Sequence, residues 1–445
     1  MLNAEQILAL APDAASAKAG SQLAAPAQWI SLGLSGNALW GECQGSGKLP
    51  YRTQIDLGEP AFKCSCPSRK FPCKHGLGLY LLQAAQPALF DAGETPQWVA
   101  DWFDGRKARR EKKEETATEQ SPEATAASAA LARKREDKRA QKIAGGLADL
   151  QTWLEDLARE GLATVRERGP AFWESMAARM VDVQAGAIGN RLRRASGWCF
   201  QAANADWERE LATELASLYM LCQAYGRLDT LPAPLQSNVR TLVGWTVPQE
   251  TVLAGPPLAD RWQVLAQYTA DEGRVRSRTT WLRGAASGRW AMLLHYSAGG
   301  QGFDTVLPAG TEFDGALCFY PGAWPLRALI REQSGWHPIG PVAPPPDLDT
   351  ALDGYAGVLA VQPFIERYPM MLDAVVPHSA SRKALRTADG RLVALHASFR
   401  HAMPLLALSG GHPLTVFGEW DGACLLPLSV LQGDRLFNID TDFKS

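Results

Sequence analysis

The chain has 445 residues, 46% of them hydrophobic and 21% charged. These are globular values over a length that calls for two to three domains. A formal net charge of -2 excludes a chain built as a whole to coat nucleic acid, and no run of about 18 apolar residues is present to span a membrane.

Asn3 to Leu10 reads as a short helix that Asn3 is placed to cap. Order is uncertain in the Ala- and Gly-rich stretch that follows. Ala38–Cys43 and Tyr51–Leu57 read as strands, with Gly45-Ser46-Gly47 turning between them. The stretch from Phe62 to His75 is the most specific chemical feature of the chain. Cys64 and Cys66 are separated by one residue, six residues follow, and Cys73 and His75 are again separated by one. Thiolate sulfur and imidazole nitrogen are preferred zinc ligands, and four of them close a tetrahedron. Residues two apart on an extended strand point the same way, so Cys64 and Cys66 can grip one ion. Pro67, Ser68 and Pro72 suit the connecting loop. Leu77, Leu81 and Leu82 recur at helical spacing, which places Cys73 and His75 at the mouth of a helix. A disulfide within Cys-x-Cys would be short-looped and strained. With four protein ligands there is no open position, so one structural Zn²⁺ is expected and not a catalytic one.

These residues resemble the SWIM zinc finger, Cys-x-Cys-x(n)-Cys-x-His ahead of an apolar helix. It occurs in bacterial proteins, Mutator-type transposases, chromatin-remodelling ATPases and a MAP-kinase-kinase kinase. The context Gly41 to Gly47, Pro50-Tyr51 and Pro72 to Gly76 further resembles the bacterial SWIM proteins. The resemblance covers about residues 30–90 and implies that Cys64, Cys66, Cys73 and His75 are the zinc ligands. It also implies DNA or protein binding, and association of bacterial relatives with MoxR-type AAA+ ATPases and von Willebrand A-domain proteins. Residues 48–75 carry six basic residues against two acidic ones. Lys63, Arg69, Lys70 and Lys74 are therefore either contacts for phosphate or a partner, or a solvated face that offsets the thiolate charge.

Trp98, Trp102 and Phe103 are expected to close the core of a finger domain spanning residues 1–104. Residues 105–145 hold twelve basic and seven acidic side chains, +5 against -7 for the remainder, and read as a charged mobile linker, centred on Thr116 to Ser128 and flanked by frayed charged helices, with a nucleic-acid tail as the sharper reading. Residues 146–230 read as a helical domain. Leu147, Leu150, Leu154, Leu157 and Val165 form one apolar stripe; Met176, Met180, Val183, Ile188 and Leu192 form another beyond Gly169-Pro170. Arg191, Arg193 and Arg194 are expected at a helix end, either favoured by its dipole or gripping an anion. Pro232 and Pro234 open a change of pattern, and residues 240–445 read as β-rich. Turns are expected at Ser287-Gly288, Asp389-Gly390 and Asp421-Gly422, with a helical piece near 347–367.

The expected class is thus α+β and multidomain: a small zinc-stapled β-hairpin/helix finger, a helical middle domain and a β-rich C-terminal domain. No P-loop, nucleophile elbow, zincin or dinucleotide motif occurs, so no catalytic residue is assigned. His378, His396, His401 and His412 lack a paired carboxylate at a ligating spacing and read as structural. Met1 to Gln6 lacks the basic residues of a secretory leader. The remaining cysteines are scattered singly, as in a reducing cytoplasm. The expected function is a non-enzymatic, cytoplasmic, zinc-binding interaction protein with a protein or nucleic-acid partner. The alternative is an enzyme with its site in the C-terminal domain and the finger as targeting module.

Overall fold

The computed structural model describes residues 4–11, 14–44, 49–58, 61–68, 70–90, 94–115, 122–200, 207–271, 275–298, 303, 307–343, 345–378, 383–433 and 435–439. Helices α1 (Ala4–Ala9) and α2 (Ala14–Leu23) precede four strands, β1 (Trp29–Ser35), β2 (Ala38–Cys43), β3 (Tyr51–Asp56) and β4 (Ala61–Cys64). The strands form an antiparallel meander in that order. The two strands read from sequence are β2 and β3. Strand β1 was not read from sequence, although Ile30, Leu32 and Leu34 alternate with Ser31, Gly33 and Ser35. Helix α3 (Lys74–Ala85) buries Leu77, Leu79 and Leu82 with Leu39 and Ile55 of the sheet. A Cβ on Gly78 would lie 2.6 Å from Leu23 Cβ and 3.1 Å from the Gly20 carbonyl, so α2 packs directly on the backbone of α3. Asn3, the expected cap of α1, lies outside the described residues.

Helix α4 (Gln97–Glu115) closes a second small core, but through Val99, which is fully buried against Ala38 and Trp40. Of the expected aromatics, Trp98 and Phe103 are partly buried there, while Trp102 packs edge-on to Phe103 under the Arg106 guanidinium. The span expected as a linker is largely helical: α4 runs to Glu115 and α5 (Pro122–Glu160) covers 39 residues. Low apolar content suggested a linker, but the Ala-rich run after Pro122 has the best intrinsic helix propensity, and proline is tolerated in a first turn.

Ile143, Leu147, Leu150, Leu154 and Leu157 recur every three or four residues on α5 and form one wall of the bundle core. The other walls come from α6 (Gly169–Asp182), α7 (Gly186–Phe200), α8 (Trp207–Gly226) and α9 (Ala233–Val243), with Trp173 fully buried between them. Two expectations are corrected here. The second stripe is split, because α6 ends at Asp182 and Gln184 adopts a positive φ of 68° before α7 begins. Arg191, Arg193 and Arg194 therefore sit inside α7 and not at a helix end. Pro232 and Pro234 do not end the helical domain; they open α9, with proline in its first turn.

After a short helix α10 (Gln249–Leu253), strands β5 (Leu258–Asp271), β6 (Val275–Gly284), β7 (Trp290–Ala298), β8 (Thr311–Phe319) and β9 (Ala328–Pro338) form an antiparallel sheet ordered β7-β6-β5-β8-β9. Helix α11 (Leu348–Val361) is capped by Asp347, which accepts from the Thr350 amide. A second sheet is ordered β12-β11-β10-β13-β14-β15, from β10 (Tyr368–His378), β11 (Ala384–Arg386), β12 (Leu392–Ala394), β13 (Leu414–Trp420), β14 (Leu425–Gln432) and β15 (Arg435–Asn438). Helix α12 (Ala402–Ser409) precedes β13. Gly288, Gly390 and Gly422 turn with positive φ at the three expected positions. The sheets meet through Leu265, Ala266 and Trp281 on one side and Met371, Phe417 and Leu428 on the other.

The bundle and the sandwich share side chains. Phe364, between α11 and β10, is buried in the bundle core, and Asn238 of α9 accepts from the Ala323 amide at 2.7 Å. Arg191 is buried and bidentate on Glu214, at 2.7 and 3.0 Å, and also bonds Ser217. Removing one partner of a buried pair leaves an uncompensated charge. Glu214→Ala is expected to destabilise the bundle by about 3–5 kcal/mol in chemical denaturation, whereas Glu174→Ala, on the exposed pair with Arg193, should leave the denaturation midpoint near that of wild type.

Candidate metal centre

The four donors are brought together by one strand end and one helix start. Thr53 of β3 pairs with Cys64 of β4, and the pairing continues past the strand: the Ser65 amide donates to the Arg52 carbonyl at 3.0 Å and the Arg52 amide donates to Ser65 Oγ at 2.9 Å. That extension keeps Cys66 on the same side as Cys64. Ser68 Oγ accepts from the Lys70 amide and turns the chain back. Cys73 is the N-cap residue of α3 and His75 lies in its first turn, where the helix N-terminus favours anionic sulfur.

One ligand atom from each of Cys64, Cys66, Cys73 and His75 lies within 4.8 Å of all the others. His75 Nδ1 is 3.7 Å from Cys64 Sγ and 3.9 Å from Cys73 Sγ. Around zinc, with Zn–S of about 2.3 Å and Zn–N of about 2.0 Å, the edges of the tetrahedron are about 3.5–3.8 Å. The donor types and the separations therefore fit one zinc ion, held by Cys64, Cys66, Cys73 and His75, which would supply structural cross-linking and no open coordination site. Cys73 and His75 are buried and Cys64 and Cys66 half-buried. Thr53 Oγ1 lies 3.2 Å from Cys64 Sγ, and the Tyr51 ring packs 4.9 Å from the His75 ring, so both orient ligands from behind.

Crowding splits the proton affinities of the four donors. Hydrogen bonds with Cys64 and then Cys73 hold the Cys66 thiol far below its ordinary value. Contacts with Cys64 and Cys66, then burial, push Cys73 far above it. Burial pulls the His75 imidazole down, but hydrogen bonds with Cys64 and Cys66 outweigh it and raise it to about 9. Cys43, on β2, is buried and outside the cluster, with its thiol raised by that burial.

Lys63, Lys70 and Lys74 are exposed around the knuckle, and Arg69 lies outside the described residues. Arg52 is paired with Glu42 at 3.1 Å and lies over Trp98. The other basic cluster is consumed by ion pairs: Arg191 with Glu214, Arg193 with Glu174 at 2.6 Å, and Arg194 with Glu366 at 3.7 Å. Sequence spacing could not show these acids, which lie on other elements. Among the described residues no second metal-ligating group occurs. His396 and His401 instead line a cleft of about 470 Å³ in the C-terminal domain, together with Tyr268, Arg367, Ser398 and Glu419. Glu419 is buried there and accepts from Tyr268 Oη and Trp281 Nε1, both at 2.8 Å. Burial and the Glu419 charge raise the Tyr268 phenol well above its usual value. These residues come from strands over 100 positions apart, so no local motif announces them.

A metal-stapled finger followed by a helical bundle is the class of protein that this arrangement defines. Residues 51–83 match the SWIM zinc finger, and residues 138–243 match the SWIM-associated four-helix bundle domain. The first match runs from β3 into α3 and contains all four donors; the second runs from the middle of α5 to the end of α9. Both agree with a SWIM-type zinc finger family protein. No curated protein and no solved structure matches the chain significantly.

Cys73→Ser is expected to lower bound zinc from one per chain to near zero by elemental analysis and to abolish protection of β1–β4 and α3 amides in hydrogen exchange, leaving the bundle protected. Stoichiometric zinc in that variant would refute the ligand assignment.

Proposed function

We propose that the chain is a non-enzymatic interaction protein whose zinc finger is its recognition head, with a protein as its main partner and nucleic acid as the alternative. The observation that carries this reading is the closed donor set: four protein ligands fill a zinc tetrahedron and leave no site for substrate or activated water. The metal then shapes a surface. Lys63 and Lys74 stand exposed beside it and suit an acidic or phosphate-bearing contact. The bundle and sandwich, joined through Phe364, form the scaffold behind. The partner suggested by resemblance is an AAA+ ATPase of MoxR type or a von Willebrand A-domain protein, and the working place of the chain is the cytoplasm, where the thiolates stay reduced.

A second reading is favoured by the cleft around Glu419, which gathers a buried carboxylate, a tyrosine, two histidines and an arginine. In that reading the C-terminal domain is an enzyme and the finger its targeting module. Purification of the tagged chain beside its Cys73→Ser variant separates them. The interaction reading expects a stoichiometric partner that the variant loses and that rebinds the purified wild-type chain in calorimetry. Recovery of the same partner by both chains would remove the finger as the head. A metabolite that raises Tm in wild type but not in Arg367→Ala would favour the enzyme.

A further inference from the structure

The N-terminal half of α5 differs from the rest of the bundle in how it handles charge. Arg135, Lys138, Arg139 and Lys142 follow at steps of three, one and three residues, which places them on one side of the helix over about 10 Å of its axis. Ile143 is the first α5 residue in the bundle core, and ahead of it Arg139 reaches the bundle at Gly244 and Trp245. The four cations line a cavity of about 480 Å³ with Gln184, from the turn before α7, and Trp245, just after α9.

Several other cations of the bundle are paired: Arg159 with Asp156, Arg168 with Glu160, Arg179 with Asp149 and Arg193 with Glu174. Arg135, Lys138 and Lys142 have no ion pair or hydrogen bond among the described residues, although Glu136 lies on the same cavity. Arg139 is anchored differently. Its Nη2 donates to the Gly244 carbonyl at 3.1 Å, its guanidinium lies 4.3 Å from the Trp245 ring, and its Nε is buried without a hydrogen-bond partner. Like charges three and four residues apart repel along a helix, and an anion in the groove removes that cost.

We infer that this groove binds single-stranded nucleic acid through its phosphates, with Trp245 and Arg139 as a stacking wall. A positively charged groove beside an aromatic ring is the arrangement that tracks a single strand without reading its sequence. The cavity has the volume of a pocket for one or two nucleotides. This site is separate from the finger and does not depend on the finger being the recognition head.

The test uses the zinc-replete full chain and a fluorescent oligothymidylate of about twenty nucleotides, with binding followed by anisotropy across a salt series. Lys138→Glu/Lys142→Glu is expected to weaken binding about tenfold or more and to flatten the log–log salt slope by about one to two. Zinc content and helical circular dichroism should be unchanged. Lys138→Gln/Lys142→Gln, which removes charge without reversing it, should show the same direction with a smaller loss, and serves if the reversal fails to fold. Lys63→Glu/Lys74→Glu on the finger should leave the α5-dependent slope in place. Undiminished binding by both α5 variants overturns the inference. So does a duplex that binds as tightly as the single strand, or a charge-matched polyglutamate that binds in its place.

Discussion

The convergence of three sulfurs and one imidazole between the end of β4 and the start of α3 is the constraint on which the N-terminal unit depends. Its core is small, built from Ile7, Trp29, Leu39, Ile55, Phe62, Tyr80, Phe90 and the leucines of α3. Helix α3 also carries Gly76 and Gly78, each costing about 1 kcal/mol of helix propensity. Both glycines answer packing needs: a Cβ at Gly76 would stand 3.0 Å from the Phe62 ring, and Gly78 receives α2. The helix thus gives up intrinsic stability for close contact on two sides. A structural zinc, with apparent binding free energy of about 10–16 kcal/mol in small fingers, offsets that loss many times over.

Behind the finger, the bundle and the sandwich behave as one scaffold. Phe364 enters the bundle core from the C-terminal domain, and the neighbouring Glu366 reaches Arg194 and, at 4.0 Å, Arg191. The buried Arg191–Glu214 pair lies beside that junction. That pair joins α7 to α8 within the bundle, and losing either partner would leave an uncompensated buried charge. Along α5, Asp149, Asp156 and Glu160 pair with arginines, whereas ahead of Ile143 Arg135, Lys138 and Lys142 are exposed and Arg139 lies against Trp245.

The structure corrects the reading of charge and of breakers more than it corrects the reading of apolar pattern. The leucine stripe of α5 and the three Gly turns of the sandwich were visible because each is a local period or a local dihedral demand. The helicity from Pro122 to Ser128 was missed because low apolar content was weighed above alanine propensity. The α6–α7 break was missed because Gln184, not glycine, takes the positive φ. The fate of Arg191, Arg193 and Arg194 was out of reach, since Glu174, Glu214 and Glu366 lie on three other parts of the chain.

What the sequence by itself determined is the donor set, because zinc chemistry restricts ligand type and the spacing of Cys64, Cys66, Cys73 and His75 is short enough to read directly. It also determined the α+β order of three units, through apolar periods confined to single elements. Tertiary structure alone decided which cations are neutralised, that Val99 and not Trp102 closes the core beside α4, that Phe364 joins two domains, and that Glu419 meets Tyr268 and Trp281 in a cleft. The physical reason is range: ligand spacing and periodicity act within a few residues, whereas pairing and burial depend on groups that only folding brings into contact.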